Sequence, residues 1–172
     1  GVYCTGSSTA ILGNSGSLVK EGYTLAAWNT QADGWGTNYK ANVVYTFGSN
    51  NITLYAVWMP SDLTYTVGSH GIVITGYTGT PTSILPLPGG VVSIGSSAFA
   101  YCSSLTGFEI PSGVSSIGES AFIGCTSLNN ISIPTSVTTL GNWCFANCTG
   151  LASISIPASV TTIGDGAFGN CP

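Results

Sequence analysis

Six cysteines, one histidine and six carboxylates are the side chains of this 172-residue chain with the chemistry for catalysis or metal binding. A zinc site needs thiolates or imidazoles that converge at short spacings such as C-x-x-C. Cys144 and Cys148 stand four residues apart, but the one histidine, His70, is remote from them in the sequence. No serine or cysteine sits in a nucleophile motif that His70 could activate. Glu109, Glu119 and Asp165 fall at different points of a repeating unit, which argues against a paired acid and base. The expectation is a protein that is not an enzyme, with no catalytic residue, no metal site and no cofactor.

The elements that hold these residues are set by a 23-residue period. Ile94, Ile117, Leu140 and Ile163 recur at that interval, each followed by glycine, and so do Phe99, Phe122, Phe145 and Phe168. The cysteines Cys102, Cys125, Cys148 and Cys171 keep the same register, as do Val91, Val114, Val137 and Val160. Leu85, Phe108, Ile131 and Ile154 form another column, and Leu87, Ile110, Ile133 and Ile156 a further one with proline directly after each. A single unit has apolar residues along its whole length and no face of its own on which to bury them. Stacking supplies that face, and several rungs are needed for cooperative stability. Within a rung, L-x-x-I-x-I alternates as a half-buried strand does, and proline ends it because it cannot donate to a ladder. V-x-x-I-G is then read as a turn, and A-F-x-x-C as a helical or irregular return that packs its Phe inward. The expected fold is mainly β: a solenoid with one parallel strand per rung.

Four of the cysteines lie on this lattice. Neighbouring rungs about 4.8 Å apart put equivalent Cβ atoms slightly beyond the roughly 3.5 to 4.5 Å a disulfide prefers. These cysteines are read as buried free thiols that fill space as a small hydrophobe does. Cys144 takes the position of Ala98, Ala121 and Ala167 and is read as core too, whereas Cys4 falls on no pattern.

The unit L-x-x-I-x-I-P-x-x-V-x-x-I-G-x-x-A-F-x-x-C resembles the BspA-like leucine-rich repeats over residues 64–172, departing from it at Thr82 and Pro86. The resemblance implies a secreted or cell-surface protein used in adhesion or recognition. The stretch YTVGSHGIVITGYTG is similar to the strand-rich start that caps such arrays, so residues 64–81 are read as the cap and 82–172 as four rungs.

Residues 1–59 follow another pattern. LVKEGYTLAAWNTQADGWGTNY with NITLYAVW is similar to the Listeria–Bacteroides repeat, a small β-grasp-like module of bacterial surface proteins, carried by Gly22, Tyr23, Trp28, Asn29, Asp33, Gly34, Gly36, Tyr39, Leu54, Tyr55, Ala56 and Trp58. Ala27 departs from that pattern, and the first strand, Val2 to Cys4, is short. Ala-Asp-Gly-Trp-Gly reads as a tight hairpin connection with Gly34 and Gly36 available for positive φ. Met59, Pro60, Ser61 and Asp62 read as the link to the solenoid, with 60–63 as the linker between domains.

Only 5% of the residues are charged, against roughly 25% in an average soluble protein. The surface is therefore built from hydroxyls and amides. Lys20 and Lys40 are the only cations and the net charge is −4, so nothing neutralises phosphate and nucleic-acid binding is excluded. No apolar run approaches the roughly 20 residues of a membrane helix, and membrane insertion is not expected. Outward strand positions of a solenoid form a continuous surface, here including Thr106, Glu109, Asn130, Ser132 and Ser155. That face carries no aromatic or Arg anchor, so Tyr101, Trp35 and Trp143 join the candidate binding residues. The partners expected are a host or matrix protein, a glycan, or copies of the chain itself. The function expected is adhesion or recognition at the cell surface or outside the cell. The alternative is a structural subunit of an extracellular filament, motivated by low charge and by an array that stops at Cys171-Pro172 without a polar cap.

Overall fold

The computed structural model describes residues 2–4, 8–11, 14, 18–48, 51–81 and 86–172. Thr82 and Leu85, the first column positions of the array, lie outside the described residues. Among the described residues there is no helix, and the regular structure consists of strands β1 to β14. The chain divides into two compact units: Gly1–Ser61 with Val67–Ile72 and Leu87–Gly90, and Asp62–Thr66 with Val73–Pro86 and Val91–Pro172.

The first unit is antiparallel. β1 (Val2–Cys4), β6 (Ile52–Pro60), β3 (Tyr23–Asn29) and β4 (Asn38–Lys40) form one sheet in the order β1-β6-β3-β4, and β2 (Ser8–Ile11) pairs with β5 (Val44–Phe47). Trp28, Phe47 and Leu54 make its core, with Leu25, Tyr39, Tyr45 and Ile52 packed around them. The turn between β3 and β4 is wider than the tight connection read from the sequence, because it is organised by a side chain. Asn29 is fully buried. Its amide nitrogen donates to the carbonyls of Gly34 (3.0 Å) and Gly36 (3.1 Å) and to Asn38 Oδ1 (2.7 Å), while its Oδ1 accepts from the amides of Gln31 (2.8 Å) and Gly36 (3.0 Å). Gly34 has the expected positive φ, +85°. Gly36 serves a different purpose: a Cβ there would lie 2.7 Å from Asn29 Oδ1. Met59 and Pro60, expected near the linker, close β6 and pair with Thr24 and Tyr23. The chain then needs only the turn at Ser61 and Asp62 before β7 (Leu63–Gly68) begins, because both linker residues that precede it are buried in strand.

In the second unit the parallel ladder lies where the sequence reading placed a turn. β9 (Val91–Ile94), β11 (Ser116–Ile117), β13 (Thr139–Leu140) and β14 (Thr162–Ile163) are successive parallel neighbours, and β8 (Gly71–Tyr77) and β7 extend the sheet beyond β9. These segments are β-branched, which suits extended backbone. Among the described residues, the L-x-x-I-x-I segments pair as strands only in β10 (Gly107–Glu109) and β12 (Asn130–Ser132), each soon followed by its proline. The glycine after each Ile or Leu is required by the stacking: a Cβ on Gly118 would lie 2.6 Å from Ser96 N, and one on Gly141 2.6 Å from Glu119 N. Inside, Phe99, Phe122, Phe145 and Phe168 form one column with ring centroids 5.2, 5.3 and 5.6 Å apart and planes within 12°.

Asn29→Ala removes the five hydrogen bonds of the Asn29 side chain and leaves buried carbonyls and amides of the β3–β4 loop unpaired, while the bonds to Asp33 and Thr30 remain. It is expected to destabilise the first unit by about 2 to 4 kcal/mol, read as faster amide exchange over residues 23–40. Unchanged exchange there would show that the loop is held without the Asn29 side chain.

Candidate functional site

The return segment of each rung is neither helical nor irregular. In the first rung the amides of Ser97, Phe99 and Tyr101 donate to the carbonyls of Glu119, Ala121 and Ile123 in the rung above, at 2.9, 2.8 and 2.6 Å. The same three bonds repeat from Ser120, Phe122 and Gly124, and again from Trp143, Phe145 and Asn147. Aiming alternate amides along the stacking axis requires left-handed backbone at two places per rung. Ser97, Ser120, Trp143 and Gly166 form one such column, with φ between 55° and 61°. Tyr101, Gly124, Asn147 and Asn170 form the other, with φ between 57° and 71°.

Glycine and asparagine adopt this conformation readily, and bulky side chains rarely do. Tyr101 and Trp143 are therefore costly choices, by about 1 to 3 kcal/mol each, and both rings are turned outward, 72% and 48% exposed. Each ring lies across the glycine that holds its own column position one rung up. A Cβ on Gly124 would stand 2.6 Å from Tyr101 Cδ1, and a Cβ on Gly166 would overlap the Trp143 indole. One face of each ring is thus seated on backbone and the other is presented to solvent. Around them the turn face is uncharged amide and hydroxyl except for Glu119 and Asp165: Asn170 Nδ2 donates to Asn147 Oδ1 (2.9 Å), and the Asp165 amide donates to Asn142 Oδ1 (2.9 Å). Beside Tyr101 a cavity of about 250 Å³ opens, lined by Tyr77, Thr80, Pro81, Ser103 and Ser104 among others.

The sequence-derived candidates fall in three places. Glu109, Ser132 and Ser155 make one exposed column, with Thr106 and Asn130 beside it, and Glu109 and Ser132 are register partners. Tyr101 and Trp143 stand apart from these, on the turn face. Trp35 belongs to the first unit, 44% exposed, with its amide donating to Asp33 Oδ1 (3.0 Å). Reading along the chain missed the glycines beneath the rings and the cavity beside Tyr101. The signal for the glycines is visible only down a column, where an aromatic is followed 23 residues later by glycine.

The BspA type leucine rich repeat region matches residues 76–172 in six copies. The chain belongs to this family. Its first unit matches the Listeria-Bacteroides repeat domain over residues 5–57. A leucine-rich repeat protein of T. pallidum is similar at 32% identity with a TM-score of 0.57, over 66% of this chain and 67% of that one. A leucine-rich repeat protein of Bacteroides ovatus is similar at 34% identity with a TM-score of 0.58, over 66% of this chain and 33% of that one. A chain named as a membrane protein of Evansella cellulosilytica is 40% identical over 57 residues, which are 32% of this chain and 9% of that protein. Another from the same organism, named as a Gly-rich membrane protein, is 45% identical over 42 residues, 24% of this chain and 5% of that one. The chain thus spans under a tenth of the length of these curated relatives. No helix among the described residues is long and apolar enough to cross a membrane.

In this BspA-type solenoid the cysteines do more than fill space. Cys102, Cys125, Cys144, Cys148 and Cys171 are free. The thiols of Cys125, Cys148 and Cys171 donate to the carbonyls of Phe99, Phe122 and Phe145 one rung below, each at 3.1 Å. Burial pushes the Cys125 and Cys144 thiols up to about 12 and the Cys148 thiol up to about 11, from an ordinary 9.0. Such thiols are neutral and unreactive at physiological pH, which sets them apart from catalytic cysteines.

Two outcomes follow. The folded thiols titrate above the unfolded ones, so their stabilisation is complete below pH 9.0 and is lost as pH rises toward about 12. Urea unfolding against pH should show this alkaline decline, and a Cys125→Ala, Cys144→Ala, Cys148→Ala triple variant should flatten it; an equal decline in the triple variant refutes the assignment. Gly166→Ala should push the Trp143 indole off its seat at a cost of about 1 to 2 kcal/mol. The emission assigned to Trp143, by difference from Trp143→Ser, should then shift to the red, and an unmoved spectrum with unchanged stability would contradict the seating.

Proposed function

We propose that this chain is a non-catalytic recognition segment of a bacterial cell-surface protein, and that its solenoid makes adhesive contacts outside the cell. The observation that carries this reading is the pair of exposed rings, Tyr101 and Trp143, held at strained left-handed backbone on a stacked scaffold. Strain of this kind persists where the surroundings over-determine it, and it gathers at binding sites. Nothing about stacking calls for an aromatic here, since other rungs fill the same positions with Ser97, Ser120, Asn147 and Asn170. The family and its solved relatives, all leucine-rich repeat proteins, support the same reading. Among the described cysteines, Cys125, Cys144 and Cys148 are held protonated by burial.

The strand face formed by Glu109, Ser132 and Ser155 is the weaker candidate, because its side chains are small and offer no anchor. Beads coated with the chain should bind cultured epithelial monolayers or their deposited matrix, and the Tyr101→Asn, Trp143→Ser double variant should lose most of that binding. Equal binding by wild type and double variant removes the turn face from the function. Light scattering on the same samples tests the filament alternative, since self-association raises the mass above that of one chain.

A further inference from the structure

We infer that the turn face of the solenoid is a binding track for a neutral glycan chain, with the Tyr101 and Trp143 rings as its stacking platforms. The inference rests on the recognition reading above and names the class of ligand.

The two rings are built in the same way at two independent places. Each sits at a left-handed position, each is seated on the glycine one rung up, and each keeps its outer face free. The face of an aromatic ring is electronegative. It suits the polarised C–H face of a pyranose, which is flat and of similar size. Sugar hydroxyls then need hydrogen-bonding partners at the rim of each platform, and these are present. Near Trp143 these are Asn142, which precedes it and is exposed, and Asn147 in the same rung, bonded to Asn170 of the next; near Tyr101 they are the side chains of the adjoining cavity. The cavity of about 250 Å³ beside Tyr101 is lined by the hydroxyl-bearing Thr80 and Ser103, and by Tyr77 and Ser104, whose hydroxyls donate to Asp62 Oδ2 (3.4 Å) and the Pro81 carbonyl (2.9 Å) and keep lone pairs to accept from a sugar. It is slightly smaller than the roughly 300 to 1,000 Å³ of pockets for drug-sized ligands, a size suited to one sugar unit.

Charge narrows the class. Both cations of the chain, Lys20 and Lys40, belong to the first unit, so the solenoid offers nothing to a carboxylate or sulfate. Glu119 and Asp165, exposed on the turn face itself, repel acidic sugars. Spacing narrows it further. Tyr101 and Trp143 are two rungs apart, about 10 Å along the stacking axis, which a monosaccharide does not bridge and an extended oligosaccharide does. A protein partner fits less well. Interface hot spots sit in a tightly packed patch that excludes water, whereas these rings stand singly among amides and hydroxyls.

The test titrates the full chain with neutral hexasaccharides of glucose, mannose and N-acetylglucosamine, and with a galacturonic acid hexasaccharide, following tryptophan emission and calorimetry. At least one neutral hexasaccharide should bind saturably with a Kd between about 10 μM and about 1 mM, and the acidic one should not. Tyr101→Asn and Trp143→Ser install residues that sister rungs carry at the same φ, so the fold is retained, which thermal unfolding verifies. Each should weaken binding about tenfold, and Gly166→Ala should weaken it by displacing Trp143 while keeping the ring. The inference is overturned if no neutral hexasaccharide saturates up to about 10 mM, or if the double variant binds as the wild type does. Periodate treatment of the epithelial monolayers separates this failure from failure of the broader reading. Ring-dependent bead binding that survives periodate keeps recognition and replaces the glycan with a protein partner. Binding that is independent of the rings defeats both.

Discussion

The solenoid depends on backbone hydrogen bonds that run from rung to rung. On the sheet side the amides of Gly118, Gly141 and Gly164 donate back to the carbonyls of Ile94, Ile117 and Leu140, each at 2.8 Å. On the turn side the amides of Phe99, Phe122 and Phe145 donate forward to Ala121, Cys144 and Ala167, also at 2.8 Å. Every interior rung is therefore tied in both directions. Buried amides and carbonyls must be paired, and the local bonds of the return segment, such as Ala98 N to the Gly95 carbonyl (3.3 Å) and Ala100 N to the Ser97 carbonyl (3.1 Å), use only the intervening amides. One inserted residue in a rung would put every column out of step and strand these groups. The unbroken 23-residue register of the sequence is the trace of that constraint.

The side chains reinforce the same axis. The phenylalanine column stacks within the centroid distances at which aromatic pairs attract, and the cysteine column gives the carbonyls of Phe99, Phe122 and Phe145 a second donor from the rung above. On the surface, Ser115, Thr138 and Thr161 each donate a hydroxyl to a carbonyl one rung below, at 3.2, 3.2 and 3.3 Å. Hydroxyls bonded to their own scaffold have less to offer a ligand.

The turn face carries the stress of the design. Directing alternate amides upward requires left-handed backbone twice per rung, and that conformation favours Gly, Asn and Ser over large residues. Most rungs comply. Tyr101 and Trp143 do not, and each is matched by a glycine directly above. An aromatic at either of these two positions therefore leaves room only for glycine in the next rung.

Much of the fold was legible from the residues alone. Period, inward columns, glycine after each Ile or Leu and the free lattice thiols all followed from spacing, because stacking projects a three-dimensional contact onto a constant sequence interval. The role of V-x-x-I-G did not, since β-branched residues bounded by glycine suit a strand and a turn connection alike until a neighbour is present to pair with. Of the candidate site, the sequence named Tyr101 and Trp143 as exposed aromatics and could go no further. Their left-handed backbone, the glycine seats and the cavity beside Tyr101 exist only once one rung lies on another. A dihedral angle is set by hydrogen bonds to residues more than twenty positions away, and local sequence carries no record of them.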